Sequence, residues 1–185
     1  MTRSLALLLV VACAPRRAPE PAEPPPVAAP DPDAPAGDDF EGTVGVVHVE
    51  RDVPVATLAR VRTGAHERFD RVVFEFTEGE LPGYHLEYVD RPQHRCGSGD
   101  EVFLPGDGWL QVRLWPARMH TDEGRPTVED RSRRDLGGQL RALESICDFE
   151  AEVVWVLGVD APEPFRVLTL DDPPRIVVDV RRPER

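Results

Sequence analysis

The three cysteines are the side chains of this chain with the widest range of possible chemistry. Cys13 lies near the amino terminus, whereas Cys96 and Cys147 lie far along the chain. A thiol can form a disulfide, bind a metal ion or carry a lipid, and an odd count leaves one cysteine over after pairing. One cysteine therefore needs a separate explanation.

Cys13 ends a short apolar segment. Arg3 precedes eight apolar residues at 5–12, a pattern typical of a signal peptide and too short for a membrane-spanning helix of about 20 residues. The ending Val-Val-Ala-Cys resembles the lipobox of bacterial lipoproteins, in which the cysteine is acylated after cleavage. The resemblance implies a signal peptide over residues 1–12 and a lipid on Cys13. The alternative is an ordinary signal peptide with an unrelated cysteine.

Export would bring Cys96 and Cys147 into oxidising conditions, so we predict a disulfide between them. On a chain-entropy estimate, a closed loop of about 50 residues stabilises the fold by ~4 kcal/mol. Unpaired thiols remain an alternative, as does a metal site that adds His94 and Asp148. Because that spacing matches no recognised zinc pattern, we predict no metal site and no cofactor.

The histidines and carboxylates form no recognisable catalytic motif. No nucleophile elbow and no His-Glu-x-x-His sequence accompanies the histidines. Two carboxylates could hydrolyse a glycan, but a chain with 34 acidic residues supplies such pairs by chance. We therefore predict no catalytic residues, and a glycan- or peptide-acting hydrolase is the less favoured alternative.

The charge of the chain limits its partners. The net charge is −12, and all 22 basic residues are arginine. An acidic chain without a basic stripe argues against nucleic acid and against electrostatic docking on anionic lipid.

Outward arginines can bind carboxylates through paired hydrogen bonds, and aromatic rings near turns can stack on sugars. The candidate ligand-binding residues are Arg68, Arg71, Arg113, Arg175, Tyr84 and Trp109.

Short apolar runs separated by Gly, Pro and Asp predict a fold made of strands. The polar stretch 117–139 predicts a long loop, and Trp155, inside an apolar run, is expected in the core. Residues 139–149 fit a short helix or a strand, and we favour a strand from about residue 144. The pattern indicates an all-β sandwich or barrel. The predicted strands are 43–49, 57–61, 71–76, 84–89, 109–114, 153–157, 165–170 and 176–180.

Residues 71–76 and 175–180 share the pattern Arg-apolar-Val-apolar-acid-apolar. The period of two places Val72, Phe74 and Phe76 inward and the arginine and acid outward. If the two strands were antiparallel neighbours in register, Arg71 would meet Asp179 and Glu75 would meet Arg175. Such cross-strand pairs contribute about 0.2–1 kcal/mol each. The alternative is that charged outer positions are simply common in alternating strands.

Residues 14–42 contain nine prolines and seven alanines, with few large apolar side chains. Such a segment cannot bury a core, so we predict a disordered or polyproline tether over residues 13–42. At about 3.1 Å per residue, it would reach roughly 90 Å when extended. Residues 43–56 are expected to be a linker or an edge strand.

Residues 57–181 resemble the AMIN-like domain of bacterial envelope lipoproteins. The closing segment Pro-Pro-Arg-Ile-Val-Val-Asp-Val is one of the matching pieces, and their order and spacing are more specific than any single piece. The resemblance implies a β-sandwich. The two later cysteines depart from the family pattern. The matching pieces are 64–76, 82–89, 110–117, 148–150, 155–160, 164–167 and 173–180.

The related AMIN domain occurs in periplasmic cell-wall amidases and outer-membrane secretion pores, where it is a targeting module. The resemblance therefore implies a non-catalytic lipoprotein that binds peptidoglycan or an envelope protein. It would face the periplasm, and Ala14 favours the outer membrane if the cell has one. The alternative is a structural or assembly lipoprotein without its own ligand.

Overall fold

The computed structural model describes residues 40–184. The predicted signal peptide, Cys13 and the tether up to residue 39 lie outside this range. Within it there is no helix, and hence no helix that could cross a membrane. In chain order the strands are β1 (Val47–Val49), β2 (Ala56–Ala65), β3 (Phe69–Phe76), β4 (Gly83–Tyr88), β5 (Gln93–His94), β6 (Glu101–Val102), β7 (Gly108–Trp115), β8 (Ala117–Arg118), β9 (Ser132–Arg133), β10 (Leu140–Phe149), β11 (Glu152–Val159), β12 (Phe165–Asp171) and β13 (Pro174–Arg181).

Two large sheets form a sandwich. The six-stranded sheet has the order β1-β4-β7-β11-β10-β9, and the five-stranded sheet has the order β12-β13-β3-β2-β8. All neighbouring strands are antiparallel except β2 and β8. Side chains from both sheets belong to one buried cluster. The prediction of an all-β sandwich is confirmed.

The core follows the alternation of the strands. Val72, Phe74 and Phe76 of β3 lie in it as predicted. Trp155 of β11 also lies there, and its ring meets Phe74 edge to face with 6.1 Å between centroids. Offset or edge-to-face aromatic contacts of this kind add to the free energy gained from burial alone.

The helix alternative for residues 139–149 is wrong. Strand β10 pairs with β11 from Leu140 to Phe149, with register shifts between Leu140 and Ala142 and between Ser145 and Cys147. Each irregularity adds a residue and breaks the period of two. The apolar residues of this strand are therefore spaced as in a helix. The strand begins at Leu140, before the predicted residue 144.

The segment that enters the sandwich contacts both sheets. Thr43 exchanges two backbone hydrogen bonds with Phe165 at the start of β12, at 2.9 and 2.8 Å. Four residues later, β1 pairs with β4 at the edge of the other sheet. Residues 43–49 thus connect the two layers along one side.

An ion pair is buried on the outer face of the five-stranded sheet. Strands β13 and β3 are antiparallel neighbours, with Asp179 opposite Arg71 and Arg175 opposite Glu75. This confirms the register expected from the shared pattern. Arg71 donates to both carboxylate oxygens of Asp179, from Nε at 2.6 Å and from Nη2 at 2.9 Å. Arg166 of β12 adds a third bond to the same carboxylate at 2.9 Å.

The prediction that Arg71 is an exposed ligand-binding residue is wrong. Its side chain is 1% exposed, and that of Asp179 is 0% exposed. Side chains of the same face, including Arg166 from β12, lie against Arg71 and cover it. The ring of Phe69 lies 5.1 Å from the Arg71 guanidinium and 5.2 Å from that of Arg166. Alternation identifies the outward face but does not show whether that face is solvated.

Residues 90–107 form a small lobe on the outer face of the six-stranded sheet. Val102 and Leu104 of the lobe pack with Trp109, Ile146 and other side chains in a second buried cluster. A disulfide joins Cys96 of the lobe to Cys147 of β10. The predicted disulfide is therefore present, and it attaches the lobe to the sheet that it covers.

Replacing Asp179 by asparagine should destabilise the sandwich strongly. The substitution removes the carboxylate that accepts two hydrogen bonds from the buried Arg71 guanidinium, and breaking a buried ion pair typically costs about 3–5 kcal/mol. Chemical denaturation followed by tryptophan fluorescence will measure the change. Asp171→Asn, on the exposed end of β12, is the matched control and should change the free energy of unfolding by less than about 0.5 kcal/mol.

A double variant separates charge from packing. Arg71→Met combined with Asp179→Leu removes both buried charges of the pair and leaves Arg166, whose side chain is 14% exposed, so it should recover part of the stability that Asp179→Asn loses. A double variant as unstable as the single one would contradict this account of the pair.

Candidate functional site

The structure does not bring the predicted ligand-binding residues together. Tyr84 and Trp109 are 7% and 3% exposed, so the prediction that they stack on a ligand is wrong. The guanidinium groups of Arg51 and Arg91 lie 5.8 and 5.3 Å from their respective ring centroids. Turns flank both aromatic residues in the sequence, but neighbouring segments cover them in the fold.

Arg113 and Arg175 lie in different places and contact other parts of the protein. Arg113 on β7 pairs with Glu152 on β11 at 3.5 Å. Arg175 donates to the backbone oxygens of Pro173 and Asp172 in the turn before β13. Neither shares a cavity with Arg68. Of the six candidates, Arg68 alone lines a large cleft.

The cleft lies at one end of the sandwich and has a volume of about 860 Å³. Arg68 stands at its rim, in the turn between β2 and β3. Residues around the start of β10 and the end of β13 also line it. Four arginines and three acidic residues are among the lining residues. The lining consists of Phe40, Glu67, Arg68, Gly138, Gln139, Arg141, Asp160, Arg181, Arg182, Pro183 and Glu184.

Polar side chains replace apolar ones where the core reaches this end. Asp70 is 3% exposed and accepts a hydrogen bond from the Leu140 backbone N–H at 2.8 Å. Arg182 donates to the other Asp70 oxygen from Nε at 3.0 Å and from Nη2 at 2.5 Å. Asp70 thereby joins the two sheets and fixes one arginine of the cleft.

Arg141 and Arg181, two more arginines of the cleft, are also held by carboxylates. Arg141 donates twice to Asp160, at 3.1 and 2.7 Å, and Arg181 lies 3.4 Å from Glu163. The backbone of Glu163 is in turn held by Tyr88, whose hydroxyl donates to its carbonyl at 2.6 Å. Burial raises the pKa of Tyr88 to about 12. The hydroxyl therefore keeps its proton over the physiological range and holds this wall in place.

Gln139 lines the cleft and carries a buried acceptor without a partner in the part of the chain that the structure describes. The side chain is 2% exposed, and its amide nitrogen donates to the Ala161 carbonyl. Its Oε1 is buried and has no hydrogen-bond partner among the described residues. A buried acceptor without a partner costs about 1–3 kcal/mol. A ligand that donates an N–H or O–H here would recover that free energy.

Taken together, the cleft suits a ligand with two chemical features. Guanidinium groups held in place by carboxylates can still donate further N–H groups to a ligand carboxylate. The Gln139 acceptor would be satisfied by an N–H or O–H of the same ligand, a short distance from its carboxylate. A peptide with a free carboxylate and backbone N–H groups has both features.

Sequence reasoning missed most of this site. Asp70, Gln139 and Arg182 come from distant segments, and only the folded sheets bring them together. The one available signal was local. Two consecutive arginines follow the predicted closing strand, and a glutamine follows the Gly137-Gly138 pair.

Comparisons with known proteins give one match. The family model described as the AMIN-like domain matches residues 56–182. No curated protein and no solved structure matches the chain.

Replacing Gly138 by alanine should disturb the cleft, and Gly137→Ala supplies the control. Both glycines have a φ of +74°, so both variants carry the same backbone penalty. A Cβ on Gly138 would lie 2.6 Å from Asp70 Oδ2 and 2.8 Å from Arg182 Nη2, whereas one on Gly137 would meet nothing within 4 Å. We expect Gly138→Ala to lower the free energy of unfolding by about 1–3 kcal/mol more than the control. Equal effects in denaturation experiments would contradict this geometry.

Proposed function

This chain belongs to the AMIN-like domain family, and on that basis we propose that it is a non-catalytic lipoprotein of the bacterial cell envelope that binds peptidoglycan. Domains of this family are generally binding modules of envelope proteins and not enzymes. The observation that carries the proposal is the buried, unpartnered Oε1 of Gln139 in an arginine-lined cleft.

The part of peptidoglycan that fits this cleft is the stem peptide. Its carboxylates match the guanidinium donors, and Arg68 is one of the exposed arginines of the cleft. Its amide N–H groups match the acceptor of Gln139. The glycan strand itself is uncharged at most positions and would gain less from four arginines.

We further propose that a lipid on Cys13 anchors the chain in the periplasm, in the outer membrane where one exists. Residues 1–12 would be removed, and residues 13–42 would carry the sandwich of residues 57–181 away from the lipid surface. The extended tether would allow roughly 90 Å of reach. Phe40 lines the cleft, so the tether would join the sandwich close to the binding site.

A short stem-peptide fragment tests the cleft directly. The unlipidated chain from Ala14 onward should bind the fragment with a free carboxylate about tenfold more tightly than the same fragment as an amide. One charge-assisted hydrogen bond is worth about 1.5 kcal/mol or more. Isothermal titration calorimetry will measure both affinities.

Arg68→Ala should remove most of the preference for the free carboxylate. The Arg68 substitution and the amidation of the fragment each delete the same interaction, so their effects should not add. Arg125→Ala is the control, since that arginine is 76% exposed and contacts the neighbouring Glu123. Equal binding of acid and amide by the unsubstituted chain would overturn the stem-peptide assignment. Failure to sediment with intact cell-wall sacculi, together with capture of an envelope protein, would favour the protein-partner alternative.

Cys13→Ser tests the anchor separately. The variant should not incorporate a fatty-acid analogue in cells and should leave the membrane fraction, because stable anchoring depends on the acyl chains. Cys96→Ser retains Cys13 and should still be labelled. Equal labelling of the Cys13 variant and the original chain would overturn the lipoprotein assignment.

A further inference from the structure

Two histidines face each other in a groove on the outer face of the six-stranded sheet. Strands β1 and β4 place His48 directly opposite His85. The groove has a volume of about 420 Å³ and shares no lining residue with the cleft at the end of the sandwich. Its lining consists of His48, His85, Glu87, Arg113, Trp115 and Glu152.

The two imidazole rings are linked to each other and to two carboxylates. The Nδ1 atoms of His48 and His85 lie 3.2 Å apart. The Nε2 atom of His48 lies 3.4 Å from Glu50, and that of His85 lies 3.2 Å from Glu87. The resulting row is carboxylate, imidazole, imidazole, carboxylate.

The position of the hydrogen on each ring decides what the Nδ1 atoms can do. A neutral imidazole carries its hydrogen on one ring nitrogen, and the other nitrogen is an acceptor or a metal ligand. When both hydrogens are on Nε2, beside Glu50 and Glu87, both Nδ1 lone pairs are available to one cation. The Nδ1 atoms lie close enough together to share it.

The geometry fits a metal ion. Two nitrogens bound to a tetrahedral zinc ion at about 2.0–2.1 Å lie about 3.3–3.4 Å apart, close to the observed separation of the Nδ1 atoms. Histidines that bind metals usually donate their second ring N–H to a carboxylate, which orients the ring and strengthens the bond. Both His48 and His85 have a carboxylate near Nε2 that could take this role.

The surroundings favour a cation and hold one ring in place. When the histidines are neutral, the charged groups around them are three carboxylates and one guanidinium. These are Glu50, Glu87, Glu152 and Arg113. The ring of His48 stacks on Trp115, with 5.4 Å between centroids and an interplanar angle of 29°.

We infer that His48 and His85 bind a divalent transition-metal ion through their Nδ1 atoms. Imidazole ligands suit zinc, nickel and copper(II), with copper(II) the tightest in the usual order of affinity. Among residues 40–184, no cluster of three or more histidine, cysteine or acidic side chains could hold a metal. The protein therefore supplies two ligands, and water completes the coordination. The ion would be exchangeable and open to a further ligand.

Zinc titration of the unlipidated, chelator-treated chain from Ala14 onward tests the inference by calorimetry. One zinc ion should bind per chain, and His48→Ala and His85→Ala should each abolish that binding. His94→Ala and His120→Ala are the controls and should bind zinc as the unsubstituted chain does. Glu87→Gln should weaken binding by about 10- to 100-fold, as is usual for carboxylates behind a metal-binding histidine.

A spectroscopic measurement does not depend on the variants. Substoichiometric copper(II) should broaden the ring NMR signals of His48 and His85 before those of the other three histidines. Absence of stoichiometric binding of zinc, nickel and copper(II) would overturn the inference. Uniform broadening of all five histidines would also overturn it. The inference is independent of the proposed function, because metal binding is measured without cell wall.

Discussion

The pairing of Arg71 with Asp179 is the constraint on which the rest of the sandwich depends. Both groups are buried, and each satisfies the other only when β3 and β13 adopt one register. A shift by one residue would turn Phe74 and Val178 away from the core and leave two buried charges apart. The same register places Asp70 at the end of the inner face, beside Arg182. The ion pair on the outer face of β3 and β13 therefore also determines the positions of the cleft residues Asp70 and Arg182 at the end of these strands.

The strands were largely predictable because alternation and turns are local properties of the sequence. The shared pattern at residues 71–76 and 175–180 even indicated the register, since charges of opposite sign were spaced to match. Burial was not predictable in the same way. Arg71 and Trp109 lie on the outer faces of the sheets, but Arg166 and the lobe of residues 90–107 cover them. Tyr84, although it follows a turn, points inward from β4 into the core. That lobe has no periodicity from which its packing could be inferred.

The sites were less predictable because they combine residues that are distant in sequence. Asp70 meets Leu140 and Arg182, 70 and 112 positions away. His48 and His85 lie 37 positions apart, and only the pairing of β1 with β4 brings their rings together. In the sequence they are two of five scattered histidines. Local propensity carries no information on such pairs, whereas strand order and register determine them completely.

The entry of the chain at Phe40 has a mechanical consequence. The ring of Phe40 lies 4.6 Å from the guanidinium of Arg166, and Thr43 is hydrogen-bonded to Phe165 on the same edge strand. Tension applied from the amino-terminal side meets these two contacts first and β1 only afterwards. Phe40 also packs on Phe69, with 6.1 Å between ring centroids. Residues 40–46 would therefore be the first part of the sandwich to separate under such tension, before any strand of the two sheets.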